Sequence, residues 1–408
     1  MSANASTLDF RPTAPGLRFN SRPFWVALLL LGVGAWYLEA TVGWRQAALW
    51  ITGALLGVTL YHASFGFTQA WRVFVSDRRA AGLRGQMLML AVGVVLFFPI
   101  LAQGTLFGQP VAGLVSPAGG SVLLGAFLFG VGMQLGGGCA SGTLFAVGGG
   151  NTRMLVTLLF FVVGSVLGTY TFPWWSALPA IKPTSFVLAW GPLPAILSNL
   201  AVFALIAWIA TRMERRRHGR IVSFASRTDR PASLWRGPWP LIWGGVALVG
   251  LNLVTLALAG RPWGITSAFA LWGAKAYDAM GGDVAGWAYW VKQSKSLAAP
   301  LREDVSTVMD IGLMLGALVA ACAAGKFAPV WKVPARSLAG AVAGGLLLGF
   351  GARMAYGCNI GAYFSGILSG SLHAWLWLPA AFAGSALGVQ LRPIFGLAVE
   401  KSPPPSSC

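Results

Sequence analysis

The chain has 408 residues, 56% of them hydrophobic and 10% charged, with a mean hydropathy of +0.69. These values exclude an ordinary soluble protein, and uncharged stretches near the length of a membrane-crossing helix recur along the chain. The formal net charge of +18 does not argue for a nucleic-acid partner, because the basic residues lie in short loops between apolar runs, where they set orientation in a membrane.

A polar tail at 1–23 shows no short apolar core followed by a small-residue cleavage site, so no cleaved signal is evident. Spans are predicted at 24–42, 47–62, 84–102, 121–149, 152–172 and 192–211. After a basic linker at 212–237, further spans are predicted at 238–260, 306–323, 338–370 and 373–397, followed by a tail at 398–408. The runs Phe65 to Val75 and Trp263 to Met280 are apolar but too short to cross, and read as re-entrant or interfacial pieces. Tryptophans such as Trp25, Trp174, Trp190, Trp243 and Trp375 lie near span ends, as interfacial anchors do. The expected fold is an all-α polytopic membrane protein with one membrane repeat at 24–211 and a second at 238–397.

Two of the spans are interrupted by the same kind of sequence. GVGMQLGGGCASGTLF at 130–145 and GFGARMAYGCNIGAYF at 349–364 agree at six of sixteen positions when Cys139 is laid on Cys358. Gly138 then falls on Gly357, Ala140 on Asn359 and Gln134 on Arg353. Glycine permits left-handed backbone and close approach but weakens a helix, so a break inside each span is expected. Irregular backbone at membrane depth is tolerated only where it is buried or lines a cavity, and paired breaks in two halves point to a transport site. Close helix packing by small residues accounts for the glycines but not for the matched cysteines.

Topology follows from charge. With the N-terminus in the cytoplasm, most of the 29 Lys and Arg fall on the inside, among them Arg72, Arg78, Arg79 and Arg84 in one loop and eight arginines from Arg212 to Arg236 in the linker. Ten crossings counted as five per half set the second half upside down, an inverted repeat with the cysteines near the waist of an hourglass. A short echo, Gly66 to Thr68 against Gly264 to Thr266, precedes the two breaks in the same order.

The stretches GGGCASGTL and GARMAYGCNIGAYFSGILSGSLHAWLWL, with GITSAFALWGAK at 264–275, resemble the YeeE/YedE family of sulfur-compound transporters in its long, two-repeat form. The resemblance implies a bacterial inner-membrane protein that takes up thiosulfate or a related inorganic sulfur anion through a constriction lined by thiols. It places Cys139 and Cys358 at the family's glycine-cysteine motifs and makes a cytoplasmic sulfur-carrier protein a candidate partner. Members of the family often carry another cysteine in the first short piece, whereas FGFTQAWR at 65–72 has none.

The residues expected along the path are Cys139, Cys358, Gly138, Gly357, Ala140, Asn359 and Arg353. Half-helices starting near Ala140 and Asn359 offer unsatisfied backbone N–H groups to an anion. A neutral thiol offers a polarisable surface and a weak S–H donor to its sulfur end. Arg353 lies inside a membrane segment, where a charge is a functional candidate by default. His62 and His373 read as interfacial residues at span ends, Lys275 and Asp278 as a local pair, and Cys322 as a small buried hydrophobe. The chain has no phosphate loop and no metal-ligand spacing, so neither a cofactor nor direct ATP hydrolysis is expected. A membrane sulfurtransferase or thiol-redox protein using a cysteine persulfide is the alternative; it needs a base or cation beside the thiol, and the absence of a C-x-x-C weakens the redox form.

Overall fold

The structure, a computed structural model, describes residues 19–223 and 233–400. Cys408, most of the N-terminal tail and the middle of the basic linker lie outside the described residues. The helices that matter here are α1 (Ser21–Thr41), α2 (Trp44–Ala63), α3 (Phe67–Asp77), α4 (Ala81–Gln103), α5 (Gly120–Gly136), α6 (Ala140–Gly148) and α7 (Thr152–Tyr170). They continue as α8 (Pro192–His218), α9 (Leu241–Ala259), α10 (Thr266–Ala279), α11 (Val305–Ala323), α12 (Ala335–Met354) and α13 (Leu372–Leu391). Among the described residues, ten stretches are long and apolar enough to cross a membrane. The strands are two-residue ribbons that form no closed sheet, and the chain is an all-α polytopic membrane protein.

Local sequence sets the ends of these helices. Asn151 caps α7 by accepting from Met154 N at 3.4 Å, and Asp304 caps α11 by accepting from Thr307 N at 2.7 Å. Each cap satisfies one of the backbone donors that a helix start leaves open. Helix α1 is mostly exposed, with Leu29, Leu30, Val33 and Trp36 turned outward, as a lipid-facing helix requires. Helices α3 and α10, with 11 and 14 residues, reach roughly 17 and 21 Å at about 1.5 Å per residue, short of the roughly 30 Å hydrocarbon core.

The crossings divide as six before the basic linker and four after it, as the predicted spans do, so the count of five per half does not hold. Helices α1 and α8 lie outside the paired packing of the other helices. The remaining elements pack in exchanged pairs: α2 on α11 and α9 on α4, α5 on α13 and α12 on α7, α3 on α13 and α10 on α7. Glycine makes these approaches close. A Cβ on Gly130 would strike the α13 backbone at Ala381 and Ser385, and one on Gly349 would strike α7 at Phe161 and Ser165. Helices α5 and α12 lie antiparallel, Gly125 against Met354 and Gly136 against Gly344. Without bulky side chains between them, the helices gain dispersion contact over their whole length, which replaces the hydrophobic drive that lipid removes.

Candidate functional site

Both breaks form where the glycines predict. Helix α5 stops at Gly137, left-handed at φ +97°, and α6 restarts at Ala140 with Cys139 as its extended N-cap residue. Helix α12 stops at Met354, the chain turns through Tyr356 at φ +57° and Gly357 at φ +152°, and Cys358 caps a single π-helical turn at Asn359–Phe364. There Ala362 N and Tyr363 N both donate to Cys358 O, at 2.9 and 3.2 Å. Such turns are uncommon and gather at functional sites.

Gly138 and Gly357 have the same local reason to be glycine. A Cβ on Gly138 would stand 3.1 Å from Thr143 N, and one on Gly357 would stand 2.7 Å from Ala362 N, because each half-helix folds back over its own entrance. Cys139 is 1% exposed and Cys358 fully buried. The thiol of Cys139 lies 3.4 Å from Ser141 Oγ, while Ile360 N donates to Cys358 Sγ at 3.4 Å. The backbone N–H of Gly142 faces the first sulfur and that of Gly361 the second. The π turn touches α6, so the two cysteine-capped half-helices meet. Asn359 is fully buried with neither amide atom hydrogen-bonded, and Ala140 is buried at the matching position.

The short helices seal this region. Gln134 Nε2 donates to Thr68 O at 3.1 Å and Ser385 Oγ at 2.7 Å; its counterpart Arg353 donates to Thr266 Oγ1 at 2.7 Å and Tyr289 OH at 3.2 Å. The echo of Gly66–Thr68 in Gly264–Thr266 therefore marks corresponding contacts. Thr68, in the piece without a cysteine, stands beside the Cys139 thiol. Tyr363 stacks on Trp377 with ring centres 5.8 Å apart, and Phe67 and Trp71 of α3 pack edge-on against Tyr363. The apolar rings exclude water, yet Tyr363 OH and Trp377 Nε1 are buried without partners.

Sequence reasoning passed over the groups that hold the first break open. Arg153, 6% exposed, donates to Gly136 O and Leu135 O, each at 2.6 Å, and to Ser337 Oγ at 2.8 Å. Arg392 donates to Gln134 O at 2.6 Å. Two guanidinium groups thus take up carbonyls that the end of α5 leaves without helical donors. Arg353 is 7% exposed and hydrogen-bonded inward, not reaching for an interface. His62 and His373 are buried, His373 Nδ1 lying 2.6 Å from Ser371 Oγ. Lys275 donates to Leu297 O at 2.7 Å, and among the described residues it makes no ion pair with Asp278. Cys322 is fully buried, as expected of a small hydrophobe.

Ten apolar crossings, two of them broken at a shared buried constellation, define a membrane transporter. The family described as sulphur transport matches residues 62–387, and the chain belongs to it. It is 28% identical over 337 residues to the thiosulfate transporter TsuA of Spirochaeta thermophila, covering 80% of this chain and 92% of that protein. TsuA of Escherichia coli is 25% identical over 348 residues, 81% of this chain and 90% of that one. The probable transporter YedE of Salmonella typhimurium is 34% identical over 152 residues, 37% of each chain. The chain is a multi-pass transporter of sulfur compounds, not an enzyme.

Proposed function

We propose that this protein carries thiosulfate, or a closely related inorganic sulfur oxyanion, inward across the bacterial inner membrane, with Cys139 and Cys358 contacting the anion in turn. The observation that carries the reading is that the two buried thiols each cap a half-helix and that these two half-helices touch one another. Each half-helix start aims backbone N–H groups and partial positive charge at its cysteine, enough to hold an anion without trapping it as a ring of full charges would. The thiols meet the anion's sulfur, Gly138 and Gly357 let the backbone approach, and Ala140 and the Asn359 amide line the half-helix starts. Arg353, on the short-helix side of Cys358, draws the anion to the path.

In this reading α2–α7 and α9–α13 form an inverted repeat, because α8 crosses once between two units of four crossings. Helices α3 and α10 enter from opposite faces and the cysteines sit at the waist. Both termini and the linker face the cytoplasm, where a sulfur-carrier protein would receive the product.

Uptake of labelled thiosulfate into liposomes holding only the purified protein tests this. Cys139→Ala and Cys358→Ala should each abolish or severely reduce uptake while insertion persists, since alanine keeps the small apolar shape and removes the S–H donor. Serine retains an O–H donor, so partial uptake by Cys358→Ser favours passive contact over a persulfide, which oxygen cannot carry. Full uptake by the double alanine variant would sink the proposal.

A further inference from the structure

We infer that Asp310 is a proton-carrying carboxyl that couples anion binding near Arg261 to the movement of one proton; the inference rests on the transport reading above. Asp310 lies on α11 and is fully buried, and neither of its oxygens has a hydrogen-bond partner. The hydroxyls one turn earlier are already engaged. Ser306 Oγ receives Arg261 Nη2 at 3.2 Å and lies 2.9 Å from Ser267 Oγ, while Thr307 Oγ1 receives Trp272 Nε1 at 2.9 Å. A buried ionised carboxylate without hydrogen bonds needs a cation nearby.

Arg261 is that cation. It sits in the turn before α10, acts electrostatically on both Asp310 and Asp304, and among the described residues forms no ion pair with either. It also borders the proposed path: a Cβ on Gly264 would lie 3.7 Å from Arg261 Nη1, and one on Gly361, in the turn that follows Cys358, would lie 3.8 Å from Gly264 Cα. Asp310 acts on Cys358 in turn. The buried carboxyl and thiol therefore share a neighbourhood with the partly buried guanidinium.

The other charges around α11 are occupied or remote. Asp304 caps α11, Lys275 of α10 is bound to Leu297 O, and Asp278 lies further along α10 in an exposed turn. Glu39 and Tyr37 of α1, Arg45 of α2, and Arg302 and Glu303 ahead of α11 are exposed, and α6 carries no ionisable side chain.

When a dianion approaches Arg261, it competes with Asp310 for the same guanidinium. Two anions in a dry site that share one cation favour protonation of one of them. Asp310 takes up a proton from the side the anion enters and gives it up on the side the anion leaves. One O–H bond forms and one breaks, no electrons move, and one proton accompanies each anion. A sodium ion fits the site less well, because it would share the Ser306 hydroxyl with a guanidinium.

Liposomes containing the wild-type protein, a trapped pH dye and a clamped membrane potential provide the test. External thiosulfate should acidify the interior by one proton per anion. An inward gradient of one pH unit should concentrate labelled thiosulfate about tenfold, since equal gradients of the two species carry equal free energy. Asp310→Asn should lose both effects while still exchanging labelled for unlabelled thiosulfate. Thiosulfate uptake with no acid signal, uptake driven by a sodium gradient, or an acid signal that survives in Asp310→Asn would overturn the coupling and leave the transport reading standing. Absence of any thiosulfate movement through the wild type would overturn both. The proton count in the wild type needs no variant, so a misfolded Asp310→Asn leaves the test intact.

Discussion

Replacing Arg153 with lysine isolates what a guanidinium fork does at a broken helix. Arg153 bridges Leu135 O and Gly136 O at 2.6 Å each while its Nε holds Ser337. Lysine keeps the charge and its desolvation cost but presents a point donor that cannot span these three acceptors. Gly136 O keeps Thr157 Oγ1 at 3.1 Å, so the main loss falls on Leu135 O. A hydrogen bond to a charged group contributes about 1.5–3 kcal/mol, and an orphaned buried carbonyl costs a similar amount. Arg153→Lys should therefore destabilise by about 2–4 kcal/mol in a denaturant titration in detergent micelles. Arg153→Met gives up both bonds to α5 but also removes a buried charge whose desolvation costs several kcal/mol, so it should be no worse than lysine. Both variants should slow thiosulfate uptake, because the freed turn displaces Cys139. A lysine variant as stable as the wild type would refute the argument, for charge alone would then suffice.

The second break is held by backbone conformation. Gly357→Ala places a Cβ at φ +152° and 2.7 Å from Ala362 N, so a loss of about 1–3 kcal/mol from strain, and a larger one from the clash, should appear in the same titration. At the C-terminal end of the described chain, Glu400 accepts from Arg72 Nε and Nη2, both at 2.6 Å. Burial alone would raise this carboxyl, but the Arg72 bonds hold it below its ordinary value. Since the docked pKa lies below the undocked one, docking stability is full above the ordinary carboxylate range and disappears as pH falls through the lower, docked value. A fluorophore near the C-terminus should report release only in acid, and Glu400→Gln should release it at neutral pH; an identical acid titration in that variant would contradict the assignment.

The site was legible where the chain used residues with one dominant physical meaning. Gly137 and Gly357 are left-handed, Cys139 and Cys358 are caps, and Ala140 and Asn359 open the half-helices, all of which follow from glycine in an apolar span. The short helices were legible from length alone. Arg153, Arg261 and Arg392 were not, because an arginine at a span end has the same sequence signature whether its flexible stem turns to water or inward to a carbonyl. The burial of His62 and His373 was hidden for the same reason: position along a span says nothing of which neighbour covers it. The paired motifs were legible, whereas the count of crossings on each side of the linker was not, since α1 and α8 are as apolar as the other spans.

The two breaks differ in their charges, and this bears on how a dianion would pass under the proposed function. At the first break the guanidinium groups of Arg153 and Arg392 bind backbone carbonyls; at the second, Arg353 binds the hydroxyls of Thr266 and Tyr289. Among the described residues none of these three makes an ion pair; Arg153 and Arg353 are solvated by neutral dipoles, while Arg392 also has the Glu400 carboxylate in its surroundings. An uncancelled charge in a low-dielectric interior acts over a longer range than a paired one. The proposed path is thus flanked by cations on both sides of two uncharged thiols. On the proposed function, attraction would draw the anion to either flank, while the centre would offer only S–H and backbone N–H contacts, weak enough to release it. Binding strong enough to enter and weak enough to leave is what conduction requires. On the same proposal, an arginine at the thiols themselves would turn the constriction into a trap, whereas two uncharged positions would keep the anion moving.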